Sequence, residues 1–301
     1  MPEQAINIGE KDERISCILH TPSIEKEEKT VIVFMHGWAG YRIGPHQMFV
    51  KYARQFSEMG YYSIRFDFRG RGYSAGRRFE TSNTTMLFDL EQVISYLNAN
   101  IKYHKIILFG ICSGAKLAIY YAKAGKQKID GVIEMSSSLL RVDSVAQTQI
   151  NKKKNSILNY LNKEKLIKLT TGEVKFRKLI EVPFRYVSFL SHSIVDRFKP
   201  NKSAPAPQKK VITTDSSFKN YSGTPFLLIH GEKDPETDVT LQQITSLLEK
   251  YGIGYHKHII MGANHSFYSV EWEMEIFNII RNWMIKNYSL EFEAKEVLTS
   301  I

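Results

Sequence analysis

The sequence predicts an α/β protein: a mostly parallel, doubly wound sheet with crossover helices, interrupted once by a basic insert. Three observations carry this expectation. Short β-branched runs alternate with segments of helical apolar spacing along most of the chain. That alternation stops after Ser138 and resumes at Thr224. The gap also holds the charge: residues 139–221 contain 17 Lys and Arg against 6 Asp and Glu, a balance of +11 in a chain whose total is +10.

Taken in order, Arg14–His20 alternates like an early antiparallel strand, and Thr30–Met35 (TVIVFM) and Tyr62–Phe66 read as buried strands. Lys105–Phe109, Gly131–Met135, Pro225–Ile229 and His256–Ile260 continue the series. Between them, His46–Met59, Thr84–Ala99, Ser113–Ala124, Val239–Lys250 and Glu273–Asn287 have helical spacing. Within the insert, Ser156–Leu169 is amphipathic among lysines, and Pro200–Gln208 (PNKSAPAPQ) has the composition of a loop or tether. The expected organisation is a body of residues 1–138 and 222–301 carrying a mainly helical basic cap, 139–221.

Composition narrows the class. A chain of 301 residues, 43% hydrophobic and 24% charged, buries a core of ordinary size without disulfides or metal. Its two cysteines, Cys17 and Cys112, form neither a disulfide framework nor a cysteine-rich zinc site. No apolar run approaches the roughly 20 residues of a membrane span, and the first twenty residues lack an apolar leader core. The expectation is a cytoplasmic protein, with peripheral membrane attachment through the cap as a variant. No histidine–carboxylate spacing suggests a metal, no cofactor is expected, and none of the common nucleic-acid motifs is present. The basic cap reads either as a solvated lysine-rich surface or as a docking face for an acidic acyl carrier protein or an anionic membrane.

The most informative segment is Lys105–Ala118 (KIILFGICSGAKLA), which runs strand, tight turn, helix. A turn that projects a nucleophile here strains the central residue and demands small side chains two positions either side. Centred on Cys112, those positions are Gly110 and Gly114. Centred on Ser113 they are Ile111 and Ala115, and Ile111 collides. Cys112 is therefore the candidate nucleophile, and the Ser113 backbone N–H is placed to face an oxyanion.

With these motifs the chain resembles the α/β-hydrolase superfamily, in its serine-aminopeptidase and lysophospholipase-like branch. His36-Gly37-Trp38 after a buried strand is similar to the turn that supplies the second oxyanion-hole amide, which the match assigns to Trp38. Asp67-Phe68-Arg69-Gly70-Arg71-Gly72-Tyr73-Ser74 matches the branch's D-x-R-G-x-G-x-S loop, an architectural element, so Asp67 is not taken as catalytic. Leu227–Asp234 (LLIHGEKD) matches the segment that places the acid, implying Asp234. Met261–Phe267 (MGANHSF) matches the loop carrying the histidine, implying His265.

Cysteine stands where most relatives have serine, as in dienelactone hydrolases and in the hydrolases associated with exosortase and exopolysaccharide loci. The latter are the nearer likeness, because they also pair the elbow with a D-x-R-G-x-G loop and a basic cap.

The implied activity is cleavage of an ester or thioester through an acyl-Cys112 intermediate, with small-molecule or lipid-like acyl substrates and no cofactor. Asp238 is a rival to Asp234. His36, His230, His256 and His258 are rivals to His265, each with a structural role as the simpler reading. Trp38, Tyr41 and Phe267 are aromatic candidates for the acyl pocket or for core. Two other functions compete: an acyltransferase or thioesterase served by an acidic acyl carrier protein docked on the cap, and a non-catalytic scaffold keeping the hydrolase fold.

Overall fold

The computed structural model describes residues 3–138 and 218–288. The cap expectations, including Ser156–Leu169 and Pro200–Gln208, lie outside the described residues.

Parallel pairing dominates because helical crossovers return each strand in the same direction. The strands are β1 (Glu3–Ile8), β2 (Ile15–His20), β3 (Thr30–Met35), β4 (Tyr62–Phe66), β5 (Lys105–Ile111), β6 (Gly131–Met135), β7 (Phe226–Gly231) and β8 (Tyr255–Ile260). They form a sheet in the order β1-β2-β4-β3-β5-β6-β7-β8, with only β1–β2 and β2–β4 antiparallel. The helices are α1 (Met48–Glu58), α2 (Asn83–Asn100), α3 (Ser113–Ala124), α4 (Thr237–Lys250) and α5 (Val270–Tyr288).

Helices cover both faces, which is why the central strands are buried along nearly their whole length and mostly apolar. On β3, Val31, Val33 and Met35 join a core with Leu90, Val93 and Leu97 of α2, Leu117 and Tyr121 of α3, and Leu241 and Ile244 of α4. Ile32 and Phe34 point the other way, into a core with Phe49, Tyr52 and Phe56 of α1 and Ile276, Ile280 and Trp283 of α5. This is the doubly wound α/β-hydrolase arrangement that the sequence predicts.

Strand β1 is absent from the expectations. Its residues EQAINI are mostly exposed and contain no apolar run, so antiparallel bonding to β2, rather than burial, makes it a strand. Helix α1 starts at Met48, not His46, because His46 and Gln47 take left-handed backbone angles (φ 49° and 63°) after Pro45. Helix α5 starts earlier than expected, at Val270, where the Ser269 hydroxyl accepts the Glu271 N–H at 3.2 Å and the Ser269 carbonyl accepts Glu273 N–H at 3.0 Å.

The sheet delivers the site. β3 and β5 are neighbours in a register that pairs Met35 with Gly110, so the turns that follow them lie side by side at the carboxyl end of the sheet. Ligands bind at this end in open parallel sheets.

Candidate active site

Cys112 joins β5 to α3 with φ 57° and ψ −123°, a conformation rarely held by an L-residue. Such strain costs of order 1–3 kcal/mol and persists where the surroundings enforce it. The enforcement is visible at the two flanking glycines. A Cβ on Gly110 would overlap the Gly114–Ala115 backbone, and one on Gly114 would overlap the carbonyl oxygen of Met35. The Cys112 N–H donates to the Met135 carbonyl at the end of β6, at 2.9 Å, and its own carbonyl accepts Lys116 N–H at 3.2 Å. Ile111, by contrast, is buried in the core.

Asp234 lies beyond β7 and His265 beyond β8, and the two meet: His265 Nδ1 stands 2.6 Å from Asp234 Oδ2. The other carboxylate oxygen accepts Glu236 N–H at 3.1 Å, which fixes its plane. Asp234 is 5% exposed. Asp238 is exposed in the first turn of α4 and does not hold the histidine.

The other side of the His265 ring lies close enough to the Cys112 thiol for each group to shift the other's proton affinity. With Nδ1 donating to the carboxylate, Nε2 is the nitrogen that faces sulfur. His265 is pushed up to about 9, first by its hydrogen bond with Cys112 and the thiolate's charge, then by Asp234, against an opposing effect of burial. For Cys112 burial is the largest influence and raises the thiol. The hydrogen bond and charge of His265, with the Ser113 N–H, outweigh it and leave the thiol below its ordinary range.

The oxyanion side is equally close. Ser113 opens α3, and its N–H lies near enough to the Cys112 sulfur to favour the thiolate. A Cβ on Gly37 would sit 2.9 Å from Cys112 Cβ, so the His36–Trp38 turn lies directly against the elbow.

His36 holds that turn. Its Nδ1–H donates to the Gly37 carbonyl at 2.8 Å and its Nε2 accepts Phe68 N–H at 3.2 Å. Burial pulls it down to about 4, so the ring is neutral and fully occupied.

The Asp67–Ser74 loop is architectural. Asp67 accepts Arg42 N–H (2.6 Å), Arg42 Nη1 (2.5 Å) and Tyr73 N–H (3.0 Å), and Arg69 grips Asp89 through its Nε and its N–H.

The remaining candidates separate clearly. Tyr41 is half-exposed, whereas Phe267 is fully buried and packs in the core with α1 and α5, away from solvent. His230 is buried and bonded at 2.9 Å to Glu134 on β6, whose other oxygen accepts Ser137 N–H at 2.5 Å. His256 and His258 are strand residues of β8, paired in register with Leu227 and Ile229.

Two charged residues escaped the sequence reading. Glu134 interrupts an apolar strand, and its partner is 96 residues away. Lys116, one helical turn past Cys112, is 6% exposed and feels the charges of both Cys112 and Glu236. Among the described residues, no group of three or more His, Cys, Asp or Glu side chains is placed to hold a metal ion. No described helix is long and apolar enough to cross a membrane.

Known proteins share this architecture. The chain is similar to lysophosphatidylserine lipase ABHD12 of Xenopus tropicalis, 34% identical over 88 residues. That stretch is 29% of this chain and 22% of the relative, so the match spans about a fifth of the relative's length. Among solved structures it is similar in fold to Est1E from Butyrivibrio proteoclasticus, with ferulic acid bound (TM-score 0.62, 16% identity, 94% of this chain and 98% of that one). It is also similar in fold to the Pyrococcus furiosus esterase Pf2001 (TM-score 0.59, 16% identity, 96% and 92%). A family model described as serine aminopeptidase, S33 matches residues 26–269, and with the sheet, elbow and loops above in place the chain belongs to this family of α/β hydrolases.

Proposed function

We propose that the protein is an acyl-cleaving hydrolase in which Cys112 is the nucleophile, His265 the acid–base and Asp234 its orienting carboxylate. The observations that carry this reading are the 2.6 Å contact of His265 with Asp234 and the mutual influence of His265 and Cys112, which raises the imidazole and lowers the thiol.

His265 Nε2 takes the thiol proton, and the sulfur adds to the carbonyl carbon of an ester or thioester. The Ser113 and Trp38 N–H groups receive the developing oxyanion, an interaction worth about 10²–10³ in rate per donor. The intermediate collapses by breaking the bond to the leaving group, which takes its proton from His265. A thioester on Cys112 remains. Water, deprotonated by His265, then attacks that thioester and releases the carboxylic acid and the free thiol. Asp234 keeps the ring in the required tautomer and stabilises it when charged.

Lipid-like or small aromatic acyl groups are the favoured substrates, in keeping with the lipase and esterases to which the chain is similar. The +11 balance of residues 139–221 supports an acidic acyl carrier as donor or an anionic surface as the place where substrate is met. Hydrolysis of a chain-length series of nitrophenyl esters, free acyl-thiols and carrier-bound acyl groups, by wild type and Cys112→Ala, tests the reading. Loss of all turnover in the variant is expected, and retained turnover overturns Cys112 as nucleophile. Equal rates on free and carrier-bound thioesters remove the carrier.

A further inference from the structure

Arg71 is the charged group that acyl transfer leaves unused. Its backbone is pinned: the N–H donates to the Phe68 carbonyl and the carbonyl accepts Ser74 N–H, both at 3.0 Å. The residue is 7% exposed, and its Nε and Nη2 have no hydrogen-bond partner among the described residues. The guanidinium lies 5.3 Å from the centre of the Trp38 ring. The neighbouring carboxylates are already committed, Asp67 to Arg42 and Asp89 to Arg69. The charge that Arg71 feels from its surroundings is that of Arg78, also positive.

A buried cation with unmet donors is strongly disfavoured, and such groups in native proteins call for an acceptor from outside. A guanidinium fork fits a carboxylate or phosphate through two parallel hydrogen bonds. The fork rests on the ring of Trp38, the residue whose backbone N–H is assigned to the oxyanion turn, so an anion it holds would lie on the Trp38 side of that turn.

We infer that Arg71 is a specificity-determining residue that binds an oxyanion, carboxylate or phosphate, carried by the substrate on the Trp38 side of the oxyanion turn. This rests on the Cys112 reading for the role of that turn.

Matched substrate pairs test it: nitrophenyl butyrate against the nitrophenyl hemisuccinate for a carboxylate, and a monoacylglycerol against the lysophosphatidate of the same chain for a phosphate. Wild type is expected to favour the anionic member of one pair, chiefly through KM. Arg71→Gln should lower kcat/KM for that member about 10–100-fold more than for its neutral counterpart, the usual worth of a charged hydrogen bond. Arg71→Lys should recover part of the difference. A loss equal for both members, or no anionic preference in wild type, overturns the proposal.

Binding of inorganic phosphate and monomethyl succinate to Cys112→Ala, with and without Arg71→Gln, is measured by calorimetry as a readout free of turnover. Arg71-dependent binding by a protein that cleaves no ester sustains the subsite and refutes the hydrolase reading. Cys112-dependent cleavage without such binding refutes the subsite alone.

Discussion

Two histidine–aspartate pairs flank the elbow, and they have opposite fates. At the ends of β3 and β4, Asp67 is neutralised by Arg42, and His36 is buried, neutral and bonded at both nitrogens, pulled down to about 4. Beyond β7 and β8, Asp234 has no guanidinium partner among the described residues and gives one oxygen to His265, whose other nitrogen faces a thiol and whose side chain is 37% exposed. That ring is pushed up to about 9. Residue type is the same in both pairs. What differs is whether an arginine satisfies the carboxylate and whether the second ring nitrogen is left for chemistry. The first pair holds the His36–Trp38 turn, and the second is the pair to which the proposed mechanism gives proton transfer.

Exchanging the histidines for glutamine breaks this contrast most sharply. His265→Gln should lower kcat/KM by about 10⁴–10⁶, as loss of the base does in a triad acting as a unit. His36→Gln should instead cost about 1–3 kcal/mol of stability through an unmet buried group, seen as a lower denaturant midpoint. Its pH–rate profile should keep its shape, and a moved limb would assign His36 a proton-transfer role.

The carboxylates give the next largest separation. Asp234→Asn should reduce kcat by about 10⁴ with little change in stability, because the amide favours the wrong imidazole tautomer. Asp67→Asn should destabilise by about 3 kcal/mol by stranding the Arg42 guanidinium, while the folded fraction keeps its kcat.

The smallest effect is a shift along the pH axis. Because His265 holds the Cys112 thiol below its ordinary range, alkylation by iodoacetamide should persist at pH values where a free cysteine is protonated. The same pair should lose the imidazolium as pH rises through about 9, giving the rate profile an alkaline limb there. In His265→Gln the alkylation inflection should move up. An unmoved inflection would mean that the thiol is tuned without His265.

The parts of this architecture that sequence discloses are those governed by local sterics. Gly110 and Gly114 fix Cys112 as the centre of the turn because any side chain at either position overlaps backbone. Strands β3, β4 and β6 fall on their expected residues because they are buried on both faces and read as short, mostly apolar runs. Strand β1 escapes, since an exposed strand paired through its backbone leaves no apolar signature. The Glu134–His230 pair and the unmet Arg71 donors escape for a different reason: their meaning lies in which distant groups do or do not reach them. Phe267 shows the converse. Its place two residues after His265 suggests a pocket, but its ring faces the core.

The central claim is that the acyl group passes through Cys112 sulfur. Wild-type protein quenched in acid during turnover of a nitrophenyl ester, digested and weighed by mass spectrometry, tests this directly. The account predicts the acyl mass on the peptide containing Cys112, released by hydroxylamine as a thioester and accumulating further in Asp234→Asn. An acyl mass on Ser113 or another hydroxyl, or full turnover by Cys112→Ala, would contradict it.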